Sequence, residues 1–152
     1  MTIGERIKMA REKNGIAQTD LAIKIGVSKQ TLFKYENGIV TNIPSDKIEE
    51  IAKITHVSPA YIMGWEDNLN NADTDIIVDI YSDMNMLESV KKLRGIIAEN
   101  GKTQADVANM IGITPKTFYS RMQKGVFGSD EIQIMIDRLN ISNPMDIFFA
   151  KE

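Results

Sequence analysis

A chain of 152 residues, 43% hydrophobic and 26% charged with no cysteine, suits one ordinary globular domain or two very small ones. It has no means of forming a disulfide framework, a thiolate metal site or a cysteine nucleophile. No apolar run approaches the roughly 18 residues that cross a bilayer, so a cytoplasmic, membrane-free protein is expected. The net charge of −3 is unevenly spread: residues 1–65 carry nine Lys/Arg against seven Asp/Glu, residues 86–152 nine against eight, and residues 66–85 six acids and no base. Neither end is therefore repelled by phosphate, and the placement of bases matters more than their sum.

The pattern predicts short helices in succession. Ile3, Ile7 and Ala10 put one apolar face on a first helix that stops at Asn14-Gly15. Leu21, Ala22 and Ile25 mark a second, ending at Gly26. Ser28 is placed to cap a third over Lys29–Glu36, with Leu32 and Tyr35 inward and Asn37-Gly38 as its stop. Ser45 is expected to cap a fourth, and Ser58-Pro59 starts a fifth that ends at Gly64. Trp65 is expected to close this core.

The chain then repeats itself. A shift of 86 residues aligns Asn14-Gly15 with Asn100-Gly101, and Gln18, Asp20, Ala22, Ile25, Gly26 and Thr31 with Gln104, Asp106, Ala108, Ile111, Gly112 and Thr117. Further on, Ser129 is expected to cap a helix over Asp130–Leu139, and Asn143-Pro144 starts a last one ending in Ile147, Phe148 and Phe149. Two copies so far apart make a tandem rather than a solenoid. The expectation is an all-α protein of two small five-helix domains, residues 1–65 and 86–152, joined by an acidic linker over 66–85. Within that linker Glu66–Asp75 reads as loop; over Asp75–Met84 the shared helical face of Ile76, Ile80, Met84 and Leu87 favours a helix over the strand that Ile76-Ile77-Val78 would also suit.

Function is concentrated in residues 18–38. Two short helices meet at a steep angle only where the turn is tight and the facing residues are small; Gly26 supplies the turn and Ala22 the small residue. The third helix then offers Lys29, Gln30, Phe33 and Lys34 outward. Lysine pairs with guanine, glutamine with adenine, and an aromatic ring meets a thymine methyl group in the major groove. Gln18, Asn37 and the Thr41-Asn42 loop are placed for phosphate oxygens.

The stretch Ile3–Gly64, with Gln18-x-x-Leu21-Ala22-x-x-x-Gly26-Val27-Ser28, Glu36-Asn37-Gly38 and Ile62-Met63-Gly64, resembles the Cro/repressor (XRE-like) class of helix-turn-helix phage regulators. In that class the second helix of the motif lies in the major groove while the first crosses the backbone. The resemblance implies base contacts from Lys29, Gln30, Phe33 and Lys34, phosphate contacts from Gln18 and Asn37, and a homodimeric repressor on double-stranded operator DNA. Ala17 departs from the pattern, standing where Ser or Thr usually caps the second helix.

The second copy resembles small phage Cro-like proteins. Its reading face is Lys116, Thr117, Tyr119 and Ser120, with Gln104, Arg121 and Lys124 near phosphate, although Pro115 takes the place of Lys29. Either DNA contact or a dimerisation and partner-docking role fits it. An antitoxin- or anti-repressor-like protein whose DNA binding is set by a partner on residues 86–152 is the competing function, and a fusion of two regulators a third. Catalysis is not expected: a single histidine, His56, is too little for a triad or a metal site, there is no Gly-rich phosphate loop, and no cofactor is implied. Glu49-Glu50 and Asp130-Glu131 fall in helix first turns or on exposed faces and read as complements to helix dipoles.

Overall fold

A computed structural model describes residues 1–67 and 82–149, which form ten helices and, among the described residues, no strand. The chain divides into two compact units, Met1–Thr74 and Asp75–Glu152. Residues 68–81, on which most of the acidic linker and the start of its expected helix fall, lie outside the described residues.

In the first unit α1 spans Ile3–Lys13, α2 Gln18–Lys24, α3 Lys29–Glu36, α4 Ser45–Thr55 and α5 Pro59–Met63. The Thr2 hydroxyl accepts the Glu5 amide at 3.1 Å while the Glu5 carboxylate accepts the Thr2 amide at 2.9 Å, a reciprocal cap that starts α1. Asn14 ends α1 and ties it to α4, its side-chain amide donating to the Ala10 and Thr55 carbonyls at 2.7 and 2.8 Å. Ile7, Leu21, Leu32, Ile48, Ile51 and Ile62 close the core. α1 lies so tightly on the end of α3 that a Cβ on Gly4 would stand 2.2 Å from the Tyr35 carbonyl oxygen.

Several starts and ends differ from the sequence pattern. Ser45 is the first residue of α4 and not its cap; Pro44 holds the cap position without a side-chain bond, and Ser45 is buried. His56 ends α4 in the left-handed conformation at φ 57°, exposed at the helix terminus. Trp65 is half-buried. Glu66 and Asp67 belong to the first unit and not to a linker. The Arg6 guanidinium lies 4.9 Å from the Tyr61 ring centroid and donates to the Tyr61 and Glu66 carbonyls at 3.1 and 3.0 Å and to the Asp67 carboxylate at 2.9 Å. The Ser58 hydroxyl also donates to the Glu66 carboxylate.

The second unit holds α6 (Ser82–Glu99), α7 (Gln104–Ile111), α8 (Pro115–Lys124), α9 (Ser129–Leu139) and α10 (Pro144–Phe148). Its core is Leu93, Ile97, Val107, Phe118, Met122, Ile132 and Met135, with Ile147, Phe148 and Phe149 also buried. The Phe127 ring packs against Phe118 and Phe148 with centroids 5.6 and 6.1 Å away. Asn100 donates to the Ile96 and Leu139 carbonyls at 2.8 and 3.0 Å, the same pair of bonds that Asn14 makes in the first unit. Asn140 is left-handed after α9 as His56 is after α4.

One expectation changes in this unit. Gly128, not Ser129, occupies the cap position of α9, where its amide donates to the Glu131 carboxylate at 2.5 Å. Glu131 stands in the first turn of α9, is buried there, and also takes the Arg121 guanidinium. A carboxylate drawn into the first turn serves the free amides there and the helix dipole together.

Candidate nucleic-acid interface

The α2–turn–α3 unit is set by local chemistry. Ala17 precedes α2 with extended backbone and no side-chain cap. Gly26 turns the chain at φ 71°, a conformation a side chain would strain. The Ser28 hydroxyl then accepts the Thr31 amide at 3.0 Å and starts α3. Leu32 and Tyr35 are buried, which fixes the opposite face outward. Burial is the main reason the Tyr35 hydroxyl titrates above the usual tyrosine range, with Lys47 opposing and Asp46 adding to the shift.

That outward face carries Lys29, Gln30 and Phe33 exposed and Lys34 half-buried, at positions that share one side of a helix. Phe33 is 49% exposed. From Leu21 to Tyr35 the chain has three lysines and no acid. Glu36, the next acid, is turned inward. It is 4% exposed and held by Arg11, itself 9% exposed, through Nε–Oε1 at 2.5 Å and Nη2–Oε2 at 3.2 Å. Arg11 also donates to the Ile16 carbonyl at 2.9 Å. The helix therefore ends in a carboxylate without placing a negative charge on its outer side.

The expected phosphate group is only partly gathered here. Gln18 is half-buried and donates one of its two amide N–H bonds to Glu36 at 2.6 Å, so it joins the start of α2 to the end of α3. Asn37 is exposed and donates to the Phe33 carbonyl at 2.8 Å, closing α3. Thr41 and Asn42 are exposed on the α3–α4 loop.

In the second unit Thr114 caps α8 as Ser28 caps α3, accepting the Thr117 amide at 3.1 Å. Lys116, Tyr119, Ser120 and Lys124 are exposed, with Tyr119 at 51%. Thr117 is half-buried and accepts the Thr114 hydroxyl at 2.9 Å. Gln104 is half-buried at the start of α7. Arg121 is committed to Glu131, which sets a competing use for its guanidinium.

Sequence reasoning passed over Gly4, Arg6 and the Arg11–Glu36 pair. The signal for the pair was present: Arg11 follows Ile7, and Glu36 follows Leu32, each by four residues, so both charges fall on apolar stripes. At the matching positions of the second copy stand Ile97 and Met122. Among the described residues no group of three or more His, Asp or Glu is placed to hold a metal ion, and no helix is long and apolar enough to cross a membrane.

In comparison with known proteins, the helix-turn-helix family HTH_3 matches residues 7–75. The chain is similar to the uncharacterised HTH-type transcriptional regulator y4wC of Sinorhizobium fredii, 38% identical over 68 residues that make up 45% of this chain and 46% of the relative. It is similar to the HTH-type transcriptional regulator ImmR of Bacillus subtilis, 27% identical over 51% of this chain and 60% of the relative. It is also similar to the antitoxin PezA of Streptococcus pneumoniae, 32% identical over 45% of this chain and 42% of the relative. The chain thus spans about half the length of the curated relatives it matches. No solved structure matches it.

Proposed function

We propose, from the HTH_3 match over residues 7–75 and the face of α3, that this protein is a cytoplasmic, sequence-specific transcription regulator of phage-repressor type, which binds double-stranded operator DNA as a homodimer. The observation that carries the reading is the outward face of α3, where Lys29, Gln30, Phe33 and Lys34 stand free of acids because Glu36 is folded inward onto Arg11. An α-helix fits the major groove, and these side chains match base edges: amide to adenine, ammonium to guanine, ring to thymine methyl. Gln18, Asn37, Thr41 and Asn42 serve the flanking phosphates in this reading. No cofactor and no catalytic step are part of it.

The test is a binding titration of the full chain with Gln30→Ala and Lys34→Ala, on the selected operator and on random duplex. Loss of a base-edge contact costs about 1–3 kcal/mol, or roughly 5- to 150-fold, on the operator alone. Equal losses on both duplexes would reduce these residues to phosphate contacts. Binding that does not weaken between low and physiological salt would remove DNA as the ligand, because phosphate neutralisation releases counterions. The likeness to the antitoxin PezA supports a second reading, in which a protein partner sets DNA occupancy. It separates from the first on whether the purified chain alone holds its operator with the affinity of a regulator, on the order of 10⁻⁸ M or tighter.

A further inference from the structure

We propose that the second unit is itself a reader of duplex DNA, with a base preference different from that of the first. The inference rests on the DNA-binding reading of α3 and extends it to α8. The shift of 86 residues that aligns the two copies places Tyr119 on Phe33, and these two rings are the exposed aromatics of their units, at 51% and 49%. The supporting bonds coincide as well. Thr114 caps α8 as Ser28 caps α3, and Asn100 bridges two helices through the same pair of carbonyls as Asn14. A core that buries Phe118 and Met122 fixes which side of α8 faces out.

Charge favours nucleic acid as the occupant of that side. Residues 107–129 contain Lys116, Arg121 and Lys124 and no acid, and the next buried acid, Glu131, is taken up by Arg121. A protein-docking surface would be expected to carry an apolar centre. Among the described residues of this unit Tyr119 is the large apolar side chain left exposed, while Ile147, Phe148 and Phe149 are buried. An isolated ring with Lys116 three residues before it and the Ser120 hydroxyl beside it fits a groove lined by phosphates better than an apolar partner face.

The residue changes give the preference a direction. Lys116 stands where the first unit has Gln30, so an adenine contact is replaced by a guanine contact. Ser120 replaces Lys34 and Pro115 replaces Lys29, so with Lys116 gained the reading face keeps one cation where α3 has two. The second reader is therefore weaker and asks for a different half-site, so the site occupied by one chain is not a palindrome.

The experiment selects bound sequences from a random duplex library with the full chain, with a Gln30→Ala/Lys34→Ala chain, and with a Lys116→Ala/Tyr119→Ala chain. All four positions lie outside the two cores, and thermal melting checks that each chain stays folded. Two motifs, each lost in one variant, or one composite motif whose halves are lost separately, is the expected result. On its own motif the Lys116→Ala/Tyr119→Ala chain is expected to bind about 10-fold or more weakly. The inference is overturned if that chain selects the same sequences with unchanged affinity, and also if its one effect is on the mass of the free chain in solution, which would mark α8 as an assembly surface. If the Gln30→Ala/Lys34→Ala chain is silent too, the reading of α3 falls with it; if it alone responds, only the second reader falls.

Discussion

Replacing Arg11 and Glu36 separately and together tests whether this buried pair stabilises the first unit or only tolerates its own desolvation. Removing Arg11 leaves a 4%-exposed carboxylate to which the Gln18 amide still donates at 2.6 Å but which has lost its counter-charge. Breaking a buried ion pair from one side costs about 3–5 kcal/mol, a large share of the roughly 5–15 kcal/mol that holds a domain folded. The second unit shows another solution. At the equivalent positions it buries Ile97 and Met122, at 3% and 1% exposure, beside an equivalent Gln104.

Arg11→Ile with Glu36→Met should therefore recover most of the loss seen in either single change. Two desolvated charges disappear, which is often neutral or favourable by about 1–4 kcal/mol. Against this, the Ile16 carbonyl and the Gln18 amide each lose a bond of roughly 1 kcal/mol. The expected net change is close to zero, at least about 2 kcal/mol better than Arg11→Ile alone. Trp65 is the only tryptophan in the sequence and lies in the first unit, so its fluorescence in a urea titration follows that unit and not the other. A double variant as unstable as Arg11→Ile would refute the reasoning, because it would show that the pair contributes more than the burial of its charges costs.

Three other outcomes follow from the geometry. Gly4→Ala should lose about 1–3 kcal/mol despite alanine's better helix propensity of roughly 1 kcal/mol, because its Cβ meets backbone oxygen at 2.2 Å and α1 must move off α3; an unchanged or raised melting temperature would contradict the close approach. Ala17→Thr should gain about 1 kcal/mol, since Ala17 already has the extended backbone of a cap and Asp20 stands three residues on, as Asp106 does after the capping Thr103; no gain in Trp65-monitored stability would show that α2 does not need the cap. The Asp106 carboxyl is held below the ordinary carboxylate range, chiefly by the backbone amide of Thr103. Because its folded pKa is the lower one, its contribution is present above the unfolded carboxylate range and is lost as pH falls through the folded value. Asp106→Asn should melt below the parent chain at neutral pH, with the gap closing in acid; a gap that stays constant with pH would remove the charge from the argument.

The sequence by itself determined most helix boundaries of the first unit, because each of those has a local cause within a few residues: apolar spacing, Ser28, Gly26, Asn37-Gly38 and Ser58-Pro59; the cap position of α4, at Pro44 and not Ser45, is the exception. It also singled out the face of α3, since Leu32 and Tyr35 on one side leave Lys29, Gln30, Phe33 and Lys34 on the other. What it could not decide was which polar residues are spent internally. Spacing puts Glu36 one turn after the inward Leu32, but only the packing of α1 against α3 brings Arg11 to it. The same holds for Gln18, half-committed to Glu36, for Arg121 and Glu131, and for Glu66 and Asp67, which an acidic composition assigned to a linker until Arg6 bound them. Gly4 makes the point most sharply. Nothing in its neighbours in sequence distinguishes it, and the oxygen that forbids a side chain there belongs to a residue thirty-one positions away. Caps and periodicity are written in adjacent residues, whereas burial of a charge and contact between helices depend on distances that arise only when the chain closes on itself.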